Sequence, residues 1–520
     1  MHQKTFDFSF IVFSILISIF GAIIGMQLIT SLGITPNTSI IGALIAMVIA
    51  RIPMQMFYKY KSLDNQNLVQ TTISAATFGA ANSLLIPIGL PYVLGMPELI
   101  IPMLIGAGIA LFIDAFILYK VFDSKLFGAD EAWPQGIATA EALKAGDKGG
   151  SKAKFLGLGI LGGIAGSHFG IPMSALGVAF IGNIWALSMF GLGLLLRGYS
   201  VQLFGVDLNE YYIPHGMMIG AGVVALLQFI MTLVKSRSQK EPDVETNHEY
   251  TRNESDVKKG FGLGLVLYIA GAALVAVMGG IMAEMPIWQL LLFVLYASFA
   301  AIVSEIIVGI AAMHSGWFPA FAITLISLII GMIIGFPPVA LALLTGYTAA
   351  TGPAFADMGF DFKAGVLIRR GVSSAQELFA RRQQFKSAAI GFGVAIIMVA
   401  LFADSFFTQD LVPPVDRVYA ATIEAGISGD VTSLILLWAI PGAIIQLIGG
   451  PKRQMGILLA TGLLISSPIA GWAVIIGVLI RITILKVRGP EAEKTMYTTA
   501  AGFIAGDAIY SFFTSIWKAR

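Results

Sequence analysis

Cysteine is absent from the 520-residue chain, which excludes disulfides, iron–sulfur clusters and thiolate metal sites. Charge is scarce: 12% of residues are Asp, Glu, Lys or Arg and 57% are hydrophobic, where an ordinary soluble domain carries about 25% charge. Also missing is a Gly-x-x-x-x-Gly-Lys-Ser/Thr loop, so nothing supports ATP hydrolysis within this chain. Neither Gly-x-Ser-x-Gly nor His-Glu-x-x-His occurs, and no enzyme is expected. A net charge of +2 with no basic domain gives nucleic acid no footprint. His168, His215 and His314 are too far apart to suggest a metal site, and no bound cofactor is expected.

What is abundant is apolar length. Phe8–Ile29, Leu99–Leu118, Phe261–Met282 and Phe318–Phe336 approach or exceed the roughly 18–20 residues that carry a helix across a bilayer core. No run alternates at period two as a barrel strand does, and the 58 glycines fall inside the apolar stretches, where lipid-embedded helices use small residues to approach one another. The expected fold is all-α, a polytopic integral membrane protein with about 14–16 transmembrane or re-entrant helices. The first apolar run follows Lys4 but exceeds the 7–15 residues of a signal-peptide core, so it reads as a retained span.

Five motifs recur in order at offsets between 283 and 300. Gly25 and Gly33-Ile-Thr-Pro36 match Gly309 and Gly316-Trp-Phe-Pro319; Ala110–Phe116, with Asp114, matches Ala400–Phe406, with Asp404. Ala138-Thr139-Ala140-Glu141-Ala142 matches Ala421-Thr422-Ile423-Glu424-Ala425, each followed by Gly-Asp; Gly149–Lys152 matches Gly449–Lys452, and Gly216/Gly220 matches Gly502/Gly506. This order predicts two repeated halves. The first spans 1–235, a hydrophilic connector 236–258, and the second 259–520, with extra helices expected near 259–284 and 431–448. Lys and Arg gather at 51–61, 120–154, 363–386, 452–453 and 481–494, which places the N-terminus in the cytoplasm and favours inverted over parallel repeats.

An ionisable residue inside an apolar segment costs about 2.5–3.5 kcal/mol on insertion scales, so those present usually face a cavity or a partner. Asp114 and Asp404 are such residues, with interfacial capping as the competing reading. Glu141 and Glu424 lie in short segments entered by Trp133-Pro134 and Pro413-Pro414 and followed by glycine, a pattern that predicts re-entrant helices approaching each other to line one cavity; a solvated amphipathic helix competes. Gly352-Pro353 interrupts an apolar stretch just before Asp357, Asp361 and Lys363. A broken-helix elbow is expected there, with Lys363 paired to one of the aspartates or to a substrate carboxylate, rather than a free charged loop.

Ala132-Trp133-Pro134-Gln135-Gly136-Ile137-Ala138-Thr139-Ala140 resembles the aromatic-Pro-x-Gly-x-Ala-x-Ala segment of the oligopeptide transporter superfamily. Gln70-Thr-Thr-Ile-Ser-Ala-Ala76, Asp357-Met-Gly-Phe-Asp361-Phe-Lys363-Ala-Gly365 and Tyr212–Gly220 resemble further stretches of it. The chain departs from that pattern with glutamine rather than serine or threonine at 135, and with glycine, Gly359, rather than glutamine between the two aspartates. The resemblance implies a proton-coupled secondary transporter that imports short peptides or peptide-like solutes, or, in the yellow-stripe branch, metal-chelate complexes. Gln70, Pro134, Gly136, Thr139, Thr422 and the embedded acids and lysine named above are then the candidates for the substrate or proton pathway, with protons as the coupling ion. A plasma membrane location (the inner membrane in a bacterium) and a homodimer are further expectations, and a passive channel or a scaffold is the alternative class.

Overall fold

The computed structural model describes residues 8–33, 35, 38–49, 58, 60–147, 151–239, 250–316, 319–426 and 429–518. The expected cytoplasmic N-terminus at 1–7, the basic stretch 51–57 and the centre of the connector, 240–249, lie outside them.

Helices α1 (Phe8–Leu32) and α2 (Thr38–Ile49) precede a long rod, in which α3 (Leu63–Phe78) passes through a π-helical stretch, Gly79–Leu85, into α4 (Ile86–Val93). Then come α5 (Ile100–Val121), the short α6 (Pro134–Asp147), α7 (Ser151–His168), α8 (Met173–Ile181), α9 (Ile184–Phe204) and α10 (Ile213–Gln239). Beyond the connector run α11 (Glu254–Met278), α12 (Ile287–Ser315), α13 (Ala320–Ile334), α14 (Pro338–Ala350), α15 (Pro353–Ile368) and α16 (Ser374–Phe407). The chain closes with α17 (Pro414–Ala425), α18 (Gly429–Arg453), α19 (Met455–Leu463), α20 (Pro468–Arg488) and α21 (Ala492–Lys518). No strand forms among the described residues. Ten helical stretches among them are long and apolar enough to cross a bilayer, so this is an all-α, multi-pass membrane protein. Several of the segments expected from hydropathy are helices too short for a full crossing, and the stretch 172–198 divides at Gly182-Asn183 into α8 and α9.

Local chemistry sets the boundaries. Asn183 accepts from the backbone N–H groups of Trp185 and Ala186 at the start of α9, and reciprocal capping boxes join Asn253 to Asp256 and Ser373 to Gln376. Gly316 and Gly335 end α12 and α13 at φ of 70° and 88°, a backbone region that a side chain would make strained.

The two most buried stretches, 63–93 and 338–368, run antiparallel. The first part of one, α3, packs on the last part of the other, α15, while α4 packs on α14. Around this pair stand two groups of helices with the same packing plan: α7 lies along α21 as α18 lies along α10, and α8 on α20 and α21 mirrors α19 on α9 and α10. Both seams depend on small residues. A Cβ on Gly502 or Gly506 would strike the carbonyls of Leu156 and Ile160, and one on Gly220 or Gly442 those of Ala439 and Met217, so the backbones approach as closely as lipid-embedded helices do. Arg197 pairs with Asp207 after α9, and Arg481 pairs with Glu493 after α20.

Candidate transport site

The rod 338–368 breaks at Thr351-Gly352, where Gly352 has φ 97°, and the freed N–H groups must find acceptors. Asp114 of α5 supplies one: its Oδ2 accepts from Gly352 N at 2.6 Å, and Ser304 Oγ donates to the carbonyl of Thr351 at 2.9 Å. A carboxylate at the amino end of α15 also meets the positive end of the helix dipole. Asp114 Oδ1 in turn accepts from Tyr268 Oη, which lies 3.2 Å from Glu305 Oε2. Asp114 and Glu305 are both wholly buried. Tyr268 Oη thus stands between the two acids, within hydrogen-bond reach of both.

One turn into α15 begins a second acidic group. Asp357 Oδ1 accepts from Thr38 Oγ1 at 3.1 Å and Ser74 Oγ at 2.9 Å; Asp361 Oδ1 accepts from Ser39 Oγ at 2.9 Å and from Gln70 Nε2. Ser39 and Ser74 are themselves 3.0 Å apart, so the two acids share one hydroxyl network. Gln384 of α16 donates to the backbone carbonyl of Asp361 at 2.8 Å. The spacing of four residues sets both carboxylates on one face of α15, toward the start of α2 and the polar face of α3. The Oδ2 atoms of both aspartates, and Gln70 Oε1, are buried without a hydrogen-bond partner.

Lys363 joins neither aspartate. Its Nζ donates to the carbonyls of Ala129 and Glu131, each at 2.7 Å, and so ties the loop before α6 to α15. The break falls at Gly352, and Asp357–Lys363 is buried helix, not a free loop. The loop is held elsewhere too: Trp133 donates from its backbone to Met313 O and from its indole to Gly128 O, with its ring over Gly359. Gly136 lets α6 approach Phe360 O, since a Cβ there would overlap it, and Pro134 packs on Gly316. Arg381, fully buried, donates to Phe122 O and Thr251 Oγ1 and faces Asp123 and Glu377 at 3.6 and 3.8 Å.

The chain matches the family described as OPT oligopeptide transporter protein over residues 6–221 and 173–518. It belongs to the oligopeptide transporter family. No individual curated protein matches it. Membership makes the protein an oligopeptide transporter or a related one.

In this transporter α15 and its neighbours gather Gln70, Asp114, Pro134, Gly136, Asp357, Asp361 and Lys363. The remaining candidates lie apart. The two Ala-Thr-x-Glu-Ala helices do not meet at one cavity, because α6 packs on α2, α3, α12 and α15 whereas α17 packs on α4, α10, α13, α14 and α18. They therefore occupy opposite ends of the antiparallel pair, and Glu141 and Glu424 are both exposed. Thr139 and Thr422 are buried and donate to the carbonyls of Gln135 and Val418 in their own helices. Asp404, the sequence match of Asp114, is exposed in the last turn of α16. Glu305 carries no motif and was not among the candidates; its signal is a lone acid in the 29-residue apolar helix α12.

Proposed function

We propose that this protein is a secondary transporter that couples the import of short peptides or peptide-like solutes to protons, by alternating access and without a bound cofactor. The observation that carries the reading is the pair Asp357 and Asp361: wholly buried, joined through shared hydroxyls, and each with an oxygen that has no hydrogen-bond partner. Acids embedded in a span commonly serve proton relays, and a pair that keeps unbonded oxygens can load and release a proton in each cycle. Asp114 and Glu305, two more buried acids joined through Tyr268, stand one turn away.

Alternating access fits the packing plan. On this reading α7 to α10 correspond to α18 to α21, which matches 431–448 with 151–168 instead of leaving it as an added helix, and α11 alone stands without a counterpart. Gly159 and Gly442 continue the offset of Glu141 and Glu424, 442 − 159 = 424 − 141 = 283. Halves inverted about an axis in the membrane plane bring equivalent rods together antiparallel, as 63–93 and 338–368 are. The basic end, with Lys363, Arg369 and Arg381, is assigned to the cytoplasm of a plasma or bacterial inner membrane.

The test is uptake by proteoliposomes with an outside-acid gradient. Accumulation of a tripeptide that collapses with a protonophore is expected. Accumulation of an iron or nickel chelate but no peptide would move the protein to the metal-chelate branch, and equilibration without accumulation would make it a channel.

A further inference from the structure

Between the carboxyl end of α1, the ends of α7 and α21 and the start of α8 lies a cavity of about 330 Å³, within the roughly 300–1,000 Å³ of ligand pockets. Gln27, Ser31, Ser167, Ser174 and Ser511 give it a polar wall, and Asp507 is the one charged residue among the described residues that line it. Gln409, just past the end of α16, also lines it. Since α16 starts beside Arg381 and spans 34 residues, the cavity lies at the face opposite the basic cluster.

Asp507 is 6% exposed; its Oδ1 accepts from Ser167 Oγ, and its Oδ2 from the backbone N–H of Ser174 at 2.6 Å. No basic side chain pairs with it among the described residues. Beside it the hydroxyl of Ser174, 2% exposed, is buried without a partner. The close approach of α7 and α21 does not require the acid, whose Oδ2 also caps the first turn of α8 as Gln446 Oε1 caps that of α19. Gly502 and Gly506 match Gly216 and Gly220, so Asp507 matches Ala221 at an offset of 286, and the equivalent seam of α10 and α18 packs with alanine there.

An acid without a cationic partner, an unused hydroxyl and an amide side chain around a small cavity form a receptor for an ammonium group, which is all donor and singly positive. The geometry points to this cavity as the outer-face site that receives the amino terminus of a peptide, with Asp507 as its counter-charge. The inference rests on the peptide reading and adds to it where, and by which end, the substrate is first held.

Binding of trialanine and N-acetyltrialanine to the full chain in lipid nanodiscs tests it. The wild type should prefer the free amine by about tenfold to a hundredfold, as hydrogen bonds to charged groups allow. Asp507→Asn should erase that preference, and Ser174→Ala should weaken trialanine binding by a smaller factor while keeping it. Retained preference in Asp507→Asn, or equal binding of both peptides to the wild type, overturns the site. If the wild type accumulates peptides under a proton gradient while Asp507→Asn changes nothing, this inference falls alone; if it binds no peptide, the peptide reading falls with it. Because the chain lacks cysteine, Ser31→Cys gives a second readout that leaves Asp507 in place. Trialanine should slow its labelling by a membrane-impermeant maleimide and N-acetyltrialanine should not; equal protection by both overturns the site.

Discussion

At one end of the antiparallel pair, α3 and α15 set Asp357 and Asp361 against Thr38, Ser39, Gln70 and Ser74. At the other, α4, α14 and α17 surround Asp416, buried with neither carboxylate oxygen hydrogen-bonded. The first end is fastened by Lys363 and by the buried ion pairs of Arg381, the second by the exposed pair of Arg417 and Asp410. Similar backbones thus carry different side-chain chemistry. What the two ends have in common, glycine seams and a short helix, packs the bundle together. What they do not share, the acids of α15 with their hydroxyl partners, is where transport chemistry is argued to reside.

Changes that strike the two ends unequally would sharpen this contrast. The largest effect is expected for Arg381→Ala, which takes from Asp123 and Glu377 the guanidinium they face and frees Phe122 O; losing one partner of a buried ion pair costs about 3–5 kcal/mol. Thermal unfolding in detergent should show it, and an unchanged midpoint would mean that the basic end is held by other contacts. Next comes Gly359→Ala, whose methyl meets the ring of Trp133. Overpacking of this kind costs about 1–3 kcal/mol, and folded yield should fall accordingly; normal yield would show that the loop before α6 can shift freely. At the opposite end Arg417→Ala should cost about 0–1 kcal/mol, as exposed pairs do. Glu141→Gln and Glu424→Gln should alter stability by no more than about 0.5 kcal/mol, with uptake unchanged. Lost uptake in either would return those helices to the transport path.

The sequence made the fold class legible because hydropathy alone marks spans whose backbone must satisfy itself in lipid. The break at Gly352 was legible too, since glycine and proline interrupt an apolar run there. Asp357 and Asp361 stood out beside that break, and Gln70 through the family resemblance. Their partners did not: Thr38, Ser39 and Ser74 are ordinary hydroxyls, and only the fold brings α2 and α3 onto α15. Glu305 and Asp507 were missed for a related reason, each being a single acid that is not itself repeated. Glu141 and Glu424 drew attention because they repeat, yet both are exposed, and α6 and α17 lie apart. Lys363 was expected beside an aspartate because sequence proximity suggests pairing; in a helix its side chain points away from the face of Asp357 and Asp361 and reaches the carbonyls of the loop.

The central claim is that the acids of α15 handle the coupling proton, and uptake by Asp361→Asn in proteoliposomes tests it most directly. Asparagine keeps the size of the side chain and can still accept from Ser39, but it cannot bind or release a proton. Peptide counterflow at equal pH should persist while accumulation driven by an outside-acid gradient is lost. Accumulation at the wild-type level would contradict the account.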